Sequence, residues 1–359
     1  MRKIRLFFLI SIIFIRLLGL GFNDETYAQE PQVELTAIAT TLFDLEWHPS
    51  GDLLTIATNN GIIIYDENLQ EITRFVSHVG GTTALAWSPN GTKLATSGTS
   101  NDSSISIWNW LPETSTFTLD QTFLGNSSYE YFIKLAWSPD GAKLAVQGVS
   151  GEDTAGNIVG RIEIWNTGSW TLNQQFVEQL NPTNTLNWSQ DGTLLAAGVY
   201  DGISVYSSYI VDVNVPELAI GISGPNSYSS VILNSSQFIV SADQRIGIYD
   251  IESGDLINTI QIINTFLRVN QSGRNLLGID SLGNGQIVSV ATGTTIFRFT
   301  AASNIRDIAW SPNDENIGLI TSDGTVQIWD TSSLANVSGT PTVTPFPSLT
   351  PIHAGNDGQ

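Results

Sequence analysis

The chain has no cysteine among its 359 residues. A disulfide framework, a thiolate metal site and a lipid-modified N-terminal cysteine are therefore excluded, and stability must come from packing. Histidine is almost as scarce: His48, His78 and His353 are the only imidazoles, which leaves little from which to build a zinc site or a serine–histidine triad. Basic residues number 14 against 34 acidic ones, a formal charge of −20. That balance repels phosphate backbones and anionic headgroups, so nucleic-acid and membrane-surface binding are excluded as expectations. There is a single methionine, against 32 glycines and 34 aromatic side chains (10 Trp, 15 Phe, 9 Tyr), a profile of tightly turned β structure rather than of helical bundles.

Long hydrophobic runs are confined to the N-terminus. Arg2, Lys3 and Arg5 precede an apolar stretch from Leu6 to Ile15, the layout of a signal peptide. Extension to Phe22 is interrupted by Arg16 and stays short for a bilayer span. Residues 1–28 are read as a signal with cleavage after Thr26-Tyr27-Ala28, an uncleaved anchor being the alternative. Without them the formal charge is −22. The expected setting is extracytoplasmic: secreted, periplasmic or cell-surface.

Internal repetition organises the rest. Seven segments superpose, opening at Leu45-Glu46-Trp47, Leu85-Ala86-Trp87, Leu135-Ala136-Trp137, Leu186-Asn187-Trp188, Val231-Ile232-Leu233, Leu267-Arg268-Val269 and Ile308-Ala309-Trp310. The third residues lie 40, 50, 51, 45, 36 and 41 apart, spacings that suit a four-stranded unit with variable loops. Turn sequences follow most openings, among them Ser88-Pro89-Asn90-Gly91 and Ser138-Pro139-Asp140-Gly141. Proline presets φ at the second turn position, Asp or Asn suits the third, and Gly accepts the exit conformation. A small-residue strand comes next, such as Leu94-Ala95-Thr96. A third strand then ends on an aromatic: Tyr65, Trp108, Trp165, Tyr206, Tyr249 or Trp329.

Trp329-Asp330, Tyr249-Asp250 and Tyr65-Asp66, with the near matches Trp108-Asn109 and Trp165-Asn166, resemble the WD-repeat β-propeller family over about residues 33–335. The resemblance implies an all-β, seven-bladed propeller of four-stranded antiparallel blades, with residues 29–338 as the propeller domain. In that family the last blade borrows its outer strand from the opposite terminus, and Val33 to Ala39 is the stretch free to do so. It also implies a structural polar set tying loop to strand. His78, Asp102 and Trp108 match it in blade two, while Asp243 before Tyr249 and Asp323 before Trp329 repeat the second spacing. Residues 339–359, rich in Thr-Pro pairs, are read as a disordered tail.

Abundant carboxylates sit at turns, where they bond the backbone, and no Asp-x-Asp-x-Asp-Gly loop is present. No cofactor is expected, with calcium left open because it needs only oxygen ligands. The most informative irregularity is an insertion in blade three, Ser150 to Gly160, carrying Glu152 and Asp153. It faces the same side as the loop entering that blade, with Tyr129, Glu130 and Tyr131, and Tyr228 in the loop entering blade five is a weaker companion. Aromatic anchors beside acids form a candidate partner-binding patch. The function expected is a non-catalytic scaffold, probing protein partners through propeller-face loops as a monomer; a calcium-dependent exported hydrolase or lactonase and a surface glycan binder are the alternatives.

Overall fold

The computed structural model describes residues 30–36, 41–124, 131–152, 158–178, 181–200, 205–212, 218–225, 227–234, 236–242, 245–261, 266–280, 283–301, 303–336 and 351–352. Its architecture is an all-β propeller of four-stranded antiparallel blades, with strands hydrogen-bonded in chain order from the inside outward. Among the described residues the strands pair into seven such sheets. We number them by their inner strands: Leu42–Trp47, Thr82–Trp87, Tyr131–Trp137, Asn181–Trp188, Ser227–Asn234, Phe266–Val269 and Ile305–Trp310. Pro351–Ile352 adds a short fifth strand to the outer edge of sheet four. One 3-10 turn, Ser332–Asn336, is the sole helical element among the described residues, in which no helix is long and apolar enough to cross a membrane.

The repeated turn has a chemical reason at each position. In Ser88-Pro89-Asn90-Gly91 the glycine N–H donates to the Ser88 carbonyl at 2.8 Å, closing the turn. The Ser88 hydroxyl donates to Asn90 Oδ1 at 2.8 Å and accepts from the Lys93 N–H at 2.9 Å, which fastens the next strand. Ser138, Ser189 and Ser311 repeat that bracket. The exit residues Gly91, Gly141 and Gly192 have φ near +70°, a left-handed conformation that glycine adopts without Cβ strain, and Asp314 takes the same position at +62° in the Ser311 turn.

Both faces of each sheet are apolar, so burial is achieved between consecutive sheets rather than in one central core. Leu85 and Leu94 of sheet two pack on Ile62 and Ile64 of sheet one. Phe132 and Leu144 of sheet three pack on Ile105 and Ile107 of sheet two. The pattern continues through sheets four, five, six and seven. Ile320, Val326 and Ile328 of sheet seven then meet Leu42, Leu45 and Leu54 of sheet one. In sheets one to four the inner-strand tryptophan staples the sheet to the one before it. Trp47, Trp137 and Trp188 donate their indole N–H to the carbonyls of Ala309, Ala86 and Ala136 at 3.0–3.2 Å, and Trp87 donates to Thr55 Oγ1 at 2.9 Å.

Sheet seven takes its outer strand from the N-terminal side: Val33, Glu34 and Leu35 pair antiparallel with Ile328, Gln327 and Val326. The described strand is shorter than the stretch to Ala39 read from sequence, and residues 37–40 lie outside the described set. Two further readings are corrected. The third strand of sheet four is Val205–Asp212, in a register that sets Val211 opposite Leu195, the place held by Trp108 opposite Leu94 and Tyr249 opposite Phe238. Val211-Asp212, not Tyr206, therefore stands where Trp-Asp is found elsewhere. The blade-three insertion is largely an extended hairpin, since Lys143–Glu152 and Ile158–Asn166 continue the ladder on both sides of residues 153–157. The β-branched Ile158 and Val159 favour that extension.

Candidate functional site

The patch read from sequence is only partly within the described structure. Tyr129, Glu130 and Asp153 lie outside the described residues. Tyr131 opens the inner strand of sheet three, Glu152 ends its second strand, and Tyr228 lies in the inner strand of sheet five rather than in the loop before it. Phe132, beside the patch in sequence, is fully buried between sheets two and three and belongs to the core.

The polar set of sheet two is a connected network. His78 Nε2 lies 2.8 Å from Thr96 Oγ1, which also accepts the Trp108 indole N–H at 3.0 Å. On its other side the ring meets Asp102 Oδ2 at 3.3 Å, and that carboxylate accepts the Val79 N–H at 3.1 Å and the Ser104 hydroxyl at 2.6 Å. Burial pushes the His78 pKa down, against the pull of Asp102. Asp102 is held below its usual range, its bonds from Ser104 and Val79 outweighing burial. Asp323 caps its own turn through Thr321 and Thr325, Tyr249 stacks on Phe238, and Trp329 is buried against Phe299. Asp243 lies outside the described residues.

A second charged constellation lies on the inner strands themselves. Lys134 Nζ of sheet three is 2.5 Å from Asp44 Oδ1 of sheet one and 3.3 Å from Asp307 Oδ2 of sheet seven. Arg268 of sheet six reaches Asp307 Oδ1 at 2.9 Å. The carboxylates also serve the unpaired edge of the neighbouring strand: Asp44 accepts the Leu85 N–H and Glu46 the Trp87 N–H, both at 2.9 Å. Lys134 thus ties together sheets that are not neighbours, as only a group at the middle of the propeller can do. Three carboxylates face two cations. Burial raises Asp44 to about 7, opposed by Lys134, and raises Glu46 to about 8, with Asp44 adding to the shift. Asp307 is held far down despite burial, by Lys134 and Arg268, and Lys134 is raised despite burial by Asp307 and Asp44.

A pH prediction follows from Glu46. Its folded-state pKa lies above the ordinary 4.5, so the native protein retains a proton that the unfolded chain gives up. Stability from this group is full below about pH 4.5, declines as pH rises towards about 8, and is flat beyond. Glu46→Gln, which imitates the protonated form, is expected to melt like the parent at pH 5 and several degrees higher at pH 9. Parallel Tm profiles from calorimetry over that range would show that Glu46 is ionised throughout.

Two grooves are formed by the described residues. One, of about 680 Å³, runs beside the short closing strand and is lined by Leu35, Ile63, Arg74, Phe75 and Val76 among others. The other, of about 410 Å³, lies between sheets two and three at the end carrying the Ser-Pro-Asx-Gly turns, and includes Pro89, Trp137, Pro139 and Trp170. Trp170 has φ +51° at a turn position that glycine fills as Gly254 and Gly293, a conformation costing a bulky residue roughly 1–2 kcal/mol.

The family described as WD domain, G-beta repeat matches residues 69–109 and 293–330, ending on Trp108-Asn109 and Trp329-Asp330. Two stretches of the chain are thus similar to the WD repeat. The chain is 32% identical over 153 residues to Protein HIR1 of Cryptococcus neoformans, covering 41% of this chain and 15% of that protein. It is 24% identical over 319 residues to the Periodic tryptophan protein 2 homolog of Caenorhabditis elegans, covering 81% of this chain and 31% of the relative. Polyadenylation factor subunit 2 of Candida albicans is 33% identical over 93 residues, 26% of this chain and 16% of that protein. The matches thus span less than a third of any of these relatives.

Sequence reasoning missed the charges on the inner strands. The signal is present in the aligned repeats: the residue before each Leu-x-Trp opening is Asp44, Lys134 or Asp307 in three of them, at a position flanked by core residues.

Proposed function

We propose that the chain is a non-catalytic, monomeric scaffold of an extracytoplasmic compartment, its seven sheets closed into one ring and its protein partner received on the face where the sheet-three hairpin projects. The observation carrying this reading is the commitment of the central carboxylates. Asp44 and Asp307 are bound by Lys134, Arg268 and backbone N–H groups, so the middle of the propeller is bolted shut by its own cations rather than held open as a calcium or substrate site. Packing of sheet seven on sheet one supports the ring, and the basic-then-apolar N-terminus supports export. A rigid ring with a projecting hairpin suits presentation of loops to another protein.

The test has two arms. Calorimetric titration of the chain with calcium is expected to give no saturable heat. A photo-crosslinker replacing Ser150 on the hairpin is expected to yield a discrete protein adduct in the native envelope fraction, while one replacing Ser253 at the opposite end does not. Micromolar calcium binding coupled to ester or lactone hydrolysis would overturn the scaffold reading.

A further inference from the structure

The groove between sheets two and three exists because the side chain that fills the preceding junction has no counterpart there. Between sheets one and two, the residue after the inner-strand tryptophan is His48. Its ring lies edge-on to Trp87 at 4.6 Å, its Nε2 is 3.0 Å from the Gly91 carbonyl, and a Cβ on Gly91 would come within 2.5 Å of it. In sheet two the same position is Ser88, whose hydroxyl bonds within its own turn. A Cβ on Gly141, the counterpart of Gly91, would meet only Pro89 Cδ, at 3.8 Å. The space left between the two turns is about 410 Å³.

Indole rings wall this space. Trp137 and Trp170 are half-buried, with ring centroids 6.0 Å apart and planes at 82°. The Trp137 N–H is taken by the Ala86 carbonyl at 3.0 Å, so what it offers the groove is ring surface. Trp170 is held there against its backbone preference, since its φ of +51° belongs to a turn position where sheets five and six have Gly254 and Gly293. Asp140 lines the same groove. Its Oδ1 accepts the Ser138 hydroxyl at 2.6 Å and the Ala142 N–H at 3.0 Å, bonds that hold the carboxyl below its ordinary range, with Lys143 adding a weaker pull from outside the groove. Its Oδ2 has no partner among the described residues, within which Asp140 makes no ion pair. Lys93 also reaches the groove, but its ammonium is committed to Asp120 at 2.6 Å and to Asn109 at 2.8 Å. The matching turn of sheet two carries the neutral Asn90, so the charge left free in the groove is that of one carboxylate.

Indole faces beside an unpaired carboxylate, in a protein of formal charge −20, favour a cation. Among side chains the arginine guanidinium suits both features at once. It is planar and lies on an aromatic face, its N–H fork matches a carboxylate, and it is more weakly hydrated than an ammonium. We infer that the groove between sheets two and three is a binding site for an arginine side chain of a protein partner, its guanidinium against the Trp137 and Trp170 rings and its N–H groups on Asp140. The site lies at the Ser-Pro-Asx-Gly end of the propeller, opposite the sheet-three hairpin, and is a second contact surface that does not depend on the first.

The probe is the peptide acetyl-Gly-Arg-Gly-amide, titrated into the full chain at low ionic strength and followed by NMR through the indole N–H signals of Trp137 and Trp170. Saturable shifts are expected, with an affinity about five-fold above that of the citrulline peptide, which keeps the shape and loses the charge. Asp140→Asn is expected to weaken binding of the arginine peptide about five-fold with an unchanged melt, because Asn90 and Asn313 hold the same place in the turns of sheets two and seven. General attraction of a cation to an acidic protein would survive that substitution, which removes one negative charge from a formal −20. Trp170→Gly, suited to the left-handed position, is expected to abolish the response at Trp137. Equal affinities for the arginine and citrulline peptides, or equal binding by the parent and Asp140→Asn, would overturn the inference. A response to a neutral disaccharide such as maltose, with none to the arginine peptide, would also overturn it and make a sugar the occupant. Neither result touches the hairpin cross-link or the calcium titration, so the two readings fail separately.

Discussion

Replacing Lys134 with methionine is expected to destabilise the propeller by about 3–5 kcal/mol, the cost of breaking a buried ion pair by removing one partner. The lysine ammonium bridges Asp44 and Asp307, and without it Asp44 keeps only the Leu45 and Leu85 amides as donors. Methionine preserves most of the apolar stem, so the loss reports on charge rather than on packing. For a domain of this size the Tm should fall by roughly 5–15 °C. The drop is expected to be largest at pH 8–9, where Asp44 and Glu46 are ionised, and smaller near pH 5, where both carry protons. Adding Asp44→Asn to Lys134→Met should recover part of the stability, since the unpaired carboxylate is then gone. Thermal melts of the two variants check this, and a Lys134→Met melt within 2 °C of the parent at pH 8 would show that the clasp contributes nothing net, as some buried ion pairs do.

Deleting residues 30–36 is expected to have a comparable effect by a different route. Those residues supply the fourth strand of sheet seven, where Val33 and Leu35 pack on the sheet seven–sheet one core and Gln327 donates to Glu34 at 2.6 Å. Losing two half-buried apolar side chains and a row of ladder bonds amounts to about 4–6 kcal/mol. A second consequence is particular to an edge. The strand Val326–Asp330 would be left with an open row of N–H and C=O groups, a template for pairing with another chain. The deletion should therefore lower Tm by roughly 10 °C and produce concentration-dependent association by size-exclusion chromatography. Leu35→Ala, which retains the ladder, should lower Tm by less and remain monomeric.

What was legible from the residues alone was whatever repeats. The Leu-Ala-Trp openings and Ser-Pro-Asx-Gly turns mark inner strands and first hairpins because each residue has one local job that recurs from sheet to sheet. Sheet four was misread at Tyr206 because register is a property of pairing: Val211 is opposite Leu195 through the ladder, and no local feature of Val-Asp announces it. The hairpin of sheet three looked like a loop because length irregularity in a repeat reads as insertion, whether or not the inserted residues pair. Phe132, next to Tyr131 in sequence, shows the same dependence, since only the packing of sheet three on sheet two encloses its ring. The clasp was invisible for the strongest reason of all. Asp44, Lys134, Arg268 and Asp307 are individually ordinary, and only closure brings four distant strands to one point.

That clasp also bears on how the chain reaches its native state. Lys134 is separated from Asp44 by 90 positions and from Asp307 by 173. While the chain emerges from the N-terminal side, Lys134 and Asp44 can meet early, but Asp307 and Arg268 arrive only when nearly every blade has been made. Until then a partly assembled stack holds an incomplete charge set at its centre, and contacts over such separations are slow to form. The last sheet to dock therefore does two things at once, sealing the apolar junction with sheet one and completing the neutralisation of the central charges. Assemblies with a blade missing or out of order forgo both gains together, so the central charges act as a checkpoint that favours the complete molecule over its truncated intermediates.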